Sequence, residues 1–150
     1  MNNYVISNST LAIIPYLLHY SIVYEVDKIK IIKNKPLNII NYNCRLHGSS
    51  YKGRIDGTYN LIGTYYKSPV IIDDNIIFFP TTSPRLKKCS WINLDNVITI
   101  NYNKVNKCSV INFINNKNIE FHTSFNILNN QLLKSTLLSA KIIKNKGQKV

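Results

Sequence analysis

Two short basic stretches hold the side chains best suited to chemistry. Arg45, Lys52 and Arg54 lie in residues 44–59, CRLHGSSYKGRIDGTY. Arg85, Lys87 and Lys88 lie in residues 81–90, TTSPRLKKCS. The first stretch contains Gly48, Gly53 and Gly57, three of the five glycines, and two of the three arginines. Glycine permits positive φ or close backbone approach, and arginine's planar fork suits phosphate or a groove. The second stretch carries three cations and no acid. The chemistry implied is capture of a polyanion, with Tyr51 and Tyr59 placed to add contacts. The plainer reading is a pair of tight turns between strands with solvated arginines.

Bond-breaking chemistry finds less support. Residues 48–54 share the glycine spacing of a phosphate-binding loop, but Arg54-Ile55 stands where Lys-Ser/Thr is required. Asp56-Gly57 also argues against the helix that should open there. Cys44 and His47 are close in sequence, whereas catalytic Cys/His pairs are assembled from distant positions. His19, His47 and His122 lack metal-ligand spacing, and Cys44, Cys89 and Cys108 form no Cys-x-x-Cys pair. Seven acids are scattered, among them Glu25, Asp27, Asp56 and the pair Asp73-Asp74. No carboxylate cluster for a metal nuclease is visible. The chain reads as a non-enzyme with no catalytic residue, metal or cofactor. A nuclease or Cys hydrolase is the rival from another class.

Charge sharpens the binding reading. Nineteen basic and seven acidic residues give a net +12 over 150 residues. That imbalance favours nucleic acid or an anionic membrane surface. An odd number of cysteines without a secretory signal fits a reducing cytoplasm. The apolar run 11–24 is broken by Pro15, His19 and Ser21, too soon for a spanning helix. No helix-turn-helix, zinc finger or RNA-binding signature can be read, so loops or strands must do the reading. Cations entering a narrow A/T minor groove suit that arrangement. A single-stranded nucleic-acid module that stacks bases on tyrosines is the alternative.

The elements that must hold these residues read as mostly antiparallel β-structure with a C-terminal α-helix, an α+β fold of one domain. Residues 4–14 read as strand, turn and strand, with Pro15 closing the second run. Residues 20–26 alternate as a half-buried strand, and the apolar parity slips at 27–28, a turn or bulge, before 29–31. Residues 37–42 and 58–66 read as strands on either side of the glycine-bearing loop. Residues 70–79 form a hairpin with a polar tip at 73–75, buried on both faces and stopped by Pro80. After the 81–90 loop, 97–102, 108–114 and 119–121 form a meander. Ser124 caps a helix whose Phe125, Leu128 and Leu132 recur at helical spacing beside a row of Leu133, Leu137 and Ala140. The domain spans 1–143, followed by a basic, frayed end at 144–150.

The ordered series CRLHGSSYKGRIDGTY, KSPVII, FFPTTS with Arg85, and CSWI resembles the ComK family of competence transcription factors. The resemblance reaches upstream to Tyr4-Val5 and TLAIIP, and downstream to Ser124-Phe125 and Asn130-Gln131. It implies a bacterial activator of DNA-uptake genes that binds paired A/T-rich boxes, mainly through the minor groove. It also implies dimers that combine further on DNA, and control by adaptor-delivered proteolysis. Family members continue past the helical region, so the chain reads as a C-terminally short member. On this reading Arg45, Arg54 and Arg85 enter the groove, and Lys52, Lys87 and Lys88 hold phosphates.

Overall fold

A computed structural model describes residues 2–73 and 76–147; the expected hairpin tip at Asp74-Asn75 and the last three residues of the expected frayed end lie outside them. The chain opens with β1 (Thr10–Tyr16), β2 (Tyr20–Glu25) and β3 (Ile29–Ile32), followed by α1 (Pro36–Leu46) and α2 (Tyr51–Ile62). Then come β4 (Val70–Asp73), β5 (Ile76–Pro80) and β6 (Trp91–Asn93). A 3-10 turn at Leu94–Asn96 leads to β7 (Val97–Asn103), β8 (Cys108–Phe113), β9 (Asn118–Phe121) and the long helix α3 (Phe125–Gly147). The first six strands make one sheet in the order β3-β2-β1-β6-β5-β4, and the last three make a second sheet, β7-β8-β9. Every pairing is antiparallel. The fold is α+β, as the sequence implies.

Alternation along the strands builds two cores, one on each face of the large sheet. Ile13, Val23, Phe78 and Trp91 face Ile39, Ile40 and Cys44 of α1 and the incoming Tyr4 and Ile6. Their neighbours Ala12, Phe79 and Ile92 face Ile111, Phe113, Phe121 and Leu128 of the small sheet and α3. β5 is therefore buried along its whole length, while β4 alternates. The register shifts between Thr10 and Ala12, a bulge that turns Leu11 to the same core as Ala12. Asn43 ties the N-terminal segment to α1. Its Oδ1 accepts from Ile6 N at 2.9 Å, and its Nδ2 donates to Tyr4 O at 2.8 Å.

The central stretch departs from expectation. Residues 37–42 are helix, because Pro36, Ile39, Ile40, Asn43 and Cys44 recur at helical spacing on one buried face and Pro36 opens the first turn. Residues 58–62 continue α2, which ends where Gly63 N donates to Tyr59 O at 2.8 Å. The strand reading of 58–66 was misled by Gly53 and Gly57, each of which costs a helix about 1 kcal/mol. Packing overrides that cost: Tyr51 and Ile55 lie on the α1-side core, and buried Thr58 donates to Pro69 O at 2.8 Å. Ser50 caps α2, accepting from Gly53 N at 3.0 Å. A Cβ on Gly53 would lie 2.7 Å from Ser49 Oγ, so this glycine lets the serine turn fold close over the helix start. At the N-terminus, buried Tyr4 and Ile6 are not in a strand, and Pro15 lies within β1 rather than closing it. The turn between β2 and β3, the 97–121 meander and the Ser124 cap (Ile127 N donates to Ser124 Oγ at 3.2 Å) follow expectation.

Candidate nucleic-acid interface

Arg45 ends α1 and is exposed, and Lys52 is exposed in the first turn of α2. Arg54, one position short of a full turn beyond Tyr51, is half-buried. Its Nη2 donates to His47 O at 3.3 Å, and its buried Nε has no partner among the described residues. The guanidinium thus clasps the α1–α2 turn, where Gly48 takes φ 80. His47 Nε2 lies 3.9 Å from Asp73 Oδ2. These three cations belong to helices, not to the glycine-bent loop expected of residues 44–59.

The 81–90 segment is a loop with a tight base. Thr81 N donates to Ser90 O at 2.9 Å, and Ser90 N donates to Thr81 Oγ1 at 3.0 Å. Leu86 N donates to Ser83 O and Cys89 N to Leu86 O, so the backbone is braced and Arg85, Leu86, Lys87 and Lys88 point outward.

Arg85 and Lys87 line a cavity of about 260 Å³ between this loop, the end of the β1–β2 hairpin and the start of α1. Leu17 and Leu18 form its hairpin side, Lys35 and Leu37 its helical side, and buried Trp91 its floor. The Trp91 Nε1–H has no hydrogen-bond partner among the described residues, and the ring meets Tyr51 edge-on at 6.0 Å between centroids. A second cavity of about 290 Å³ shares Leu37, Pro84 and Arg85 with the first and runs to Tyr51, Tyr66 and Lys67. Arg85 therefore stands between two cavities, and the start of α2 borders the second. Among the described residues, no carboxylate lines either of them. Lys88 faces elsewhere, into a cavity of about 400 Å³ with Glu120 and His122.

Of the six expected residues, the structure gathers Arg85 and Lys87 closely, sets Lys52 and Arg54 on α2 and Arg45 in the last turn of α1, and separates Lys88. Sequence reading did not single out Lys35 or the Tyr65-Tyr66-Lys67 cluster, whose two tyrosines fall in the expected 58–66 strand. Tyr59 and Tyr65 stack at 4.2 Å with 7° between planes, both exposed. Lys67 and Lys134 place Nζ 5.0 and 5.7 Å from the Tyr66 centroid. Lys134 Nζ also donates to Tyr66 O at 2.7 Å, and burial together with Lys67 lowers its pKa. The adjacent Tyr-Tyr-Lys run was the available signal.

The thiols are unlike nucleophiles. Burial pushes Cys44 up to about 11, against the opposing pull of Arg54. Burial also raises the Cys89 thiol. Among the described residues, no group of three or more His, Cys, Asp or Glu side chains could hold a metal, and no helix is long and apolar enough to cross a membrane.

The sequence profile described as ComK protein matches residues 1–147. A relative from Bacillus subtilis (strain 168), named competence transcription factor, is 31% identical over 146 residues, which is 94% of this chain and 76% of the relative. No solved structure matches the chain. The match runs through β1, both central helices, the 81–90 loop and α3, so the elements that frame the cation-lined cavities all lie within it, and the chain belongs to the ComK family.

Proposed function

We propose that this protein is a transcription activator of competence genes that binds A/T-rich duplex DNA largely through the minor groove. The observation that carries the reading is the surface formed by Lys35, Arg85 and Lys87 beside the start of α2, without an acid among the described residues that line it, on a chain of net charge +12. Membership of a family whose Bacillus subtilis relative is named a transcription factor supports it. Arg45, Arg54 and Arg85 are assigned to the groove, with Arg54 giving up its bond to His47 O on docking. Lys52, Lys87 and Lys88 are assigned to phosphates, Lys88 at the edge of the footprint. The protein works on cytoplasmic DNA as a dimer or larger assembly, and the exposed Leu133 and Leu137 of α3 give it an apolar surface for self-association. Proteolytic adaptor recognition belongs to the same proposal. A non-enzymatic role accords with the buried, high-pKa Cys44.

The test is competition binding, at stated salt, among an A/T-boxed duplex, a G/C duplex of equal length and the single strands. Preference for the A/T duplex is the expected result, and equal affinity for both duplexes overturns the minor-groove assignment. A second reading, single-stranded binding, is favoured by the exposed Tyr59–Tyr65 stack beside Tyr66 and its two lysines. Single strands outcompeting both duplexes would select it.

A further inference from the structure

The hairpin between β1 and β2 ends in two large apolar side chains standing in water. Leu17 is 72% exposed and Leu18 60%. Leu17 also holds φ 52, a left-handed backbone that strains a branched side chain and is ordinarily given to Gly or Asn. Both leucines edge the cavity that Lys35, Arg85 and Lys87 line, and Leu86, 48% exposed, edges it from the loop side. The result is an apolar prow ringed by cations, with no carboxylate among the described residues of the cavity wall.

That pattern has a chemical complement in duplex DNA: anionic phosphates outside, flat apolar bases stacked within. The ordinary minor groove is about 6 Å wide and excludes a helix, but an apolar wedge at a base step opens it and kinks the duplex. Pyrimidine–purine steps such as TA yield most easily. We propose that Leu17 and Leu18 are this wedge, entering the minor groove at a base step with Arg85 beside them while Lys35 and Lys87 hold the phosphates on either side. The proposal rests on the DNA-binding reading above and adds to it a mode of entry and a deformation of the DNA.

The experiment uses an A/T-rich duplex with a central TA step, 2-aminopurine at that step and a dye pair at the ends. Wild-type protein should raise the 2-aminopurine emission, by unstacking, and shorten the dye separation, by bending. Leu17→Ala/Leu18→Ala should bind about tenfold more weakly and leave both signals near those of free DNA, the scale expected when a wedge no longer repays its contacts. Leu17→Met/Leu18→Met should restore both signals. Thermal melting of each variant confirms an intact fold, as expected for exposed positions. Unchanged unstacking in the alanine variant overturns the wedge. A wild-type complex that holds the duplex straight and stacked overturns the wedge alone, whereas no duplex binding removes the DNA-binding reading with it. Leucine-dependent binding to anionic lipid vesicles, without effect on the duplex, also overturns the wedge and assigns the tip to a lipid surface.

Discussion

If the cavity that Lys35, Arg85 and Lys87 line meets DNA as proposed, it sets a measurable salt dependence. Each cation that displaces a condensed counterion contributes about 0.9 to the slope of log affinity against log salt on duplex DNA. A cation inside the narrow groove counts as well as one on a phosphate. The triple variant Lys35→Ala/Arg85→Ala/Lys87→Ala should therefore flatten the slope by about 2.7. Between about 50 and 200 mM salt, wild-type binding should fall roughly fortyfold more steeply than that of the variant. All three side chains are exposed, so the fold should survive, and thermal melting checks it. Fluorescence anisotropy with an A/T-rich duplex over a salt series reads both slopes. A slope difference below about 1 would mean that these cations do not meet the DNA backbone together, and the common-surface argument would fail.

Other outcomes follow from the fold and its buried groups. Gly57→Ala should stabilise by about 0.5–1 kcal/mol in urea melts, since a Cβ there meets nothing within 4 Å and the residue is helical; a loss of stability contradicts the α2 assignment. Asn43→Ala strands Ile6 N and Tyr4 O without their partner. It should cost about 3 kcal/mol and speed hydrogen exchange at Ile6, and a cost under about 1 kcal/mol counts against the tie. The folded Cys44 thiol ionises near 11 rather than at its ordinary 9.0. Its stabilising contribution is thus complete below the unfolded pKa and is lost as pH rises from about 9 to about 11. Thiol-reagent titration should find Cys44 unreactive at pH 8 until the protein unfolds; rapid native reaction there would reopen a nucleophilic role.

How much of this was legible in the residues depends on which force decided each segment. Period-two alternation announced β2, because one-sided burial writes itself into a strand, while continuous apolar runs announced the 70–79 hairpin and apolar runs set apart by Asn-rich turns the later meander. The row Phe125, Leu128, Leu132 announced α3. α1 and α2 were hidden. Their identity rests on tertiary burial of Ile39, Ile40 and Thr58, while local propensity, through Gly53 and Gly57 and an Asn-rich composition, argued the other way. The cations of the 81–90 loop were visible as a run, but Lys35 joins Arg85 and Lys87 only through the packing of α1 beside that loop. Likewise Lys88 was grouped with its sequence neighbours, whereas the turn aims it toward Glu120 and His122. Adjacency in sequence is a poor guide to which side of a loop a charge faces.

The buried state of all three native cysteines allows a direct reading of the docking surface. Leu86→Cys, carrying a tethered iron chelate that generates hydroxyl radicals, places a cutter between Arg85 and Lys87. Thr99→Cys on β7 places the same cutter on an exposed strand of the small sheet. The account predicts cleavage of an A/T-boxed duplex within the box from position 86, offset across the strands as minor-groove attack requires, and none from position 99. Cleavage from position 99, or none from position 86 while the duplex stays bound, would contradict it.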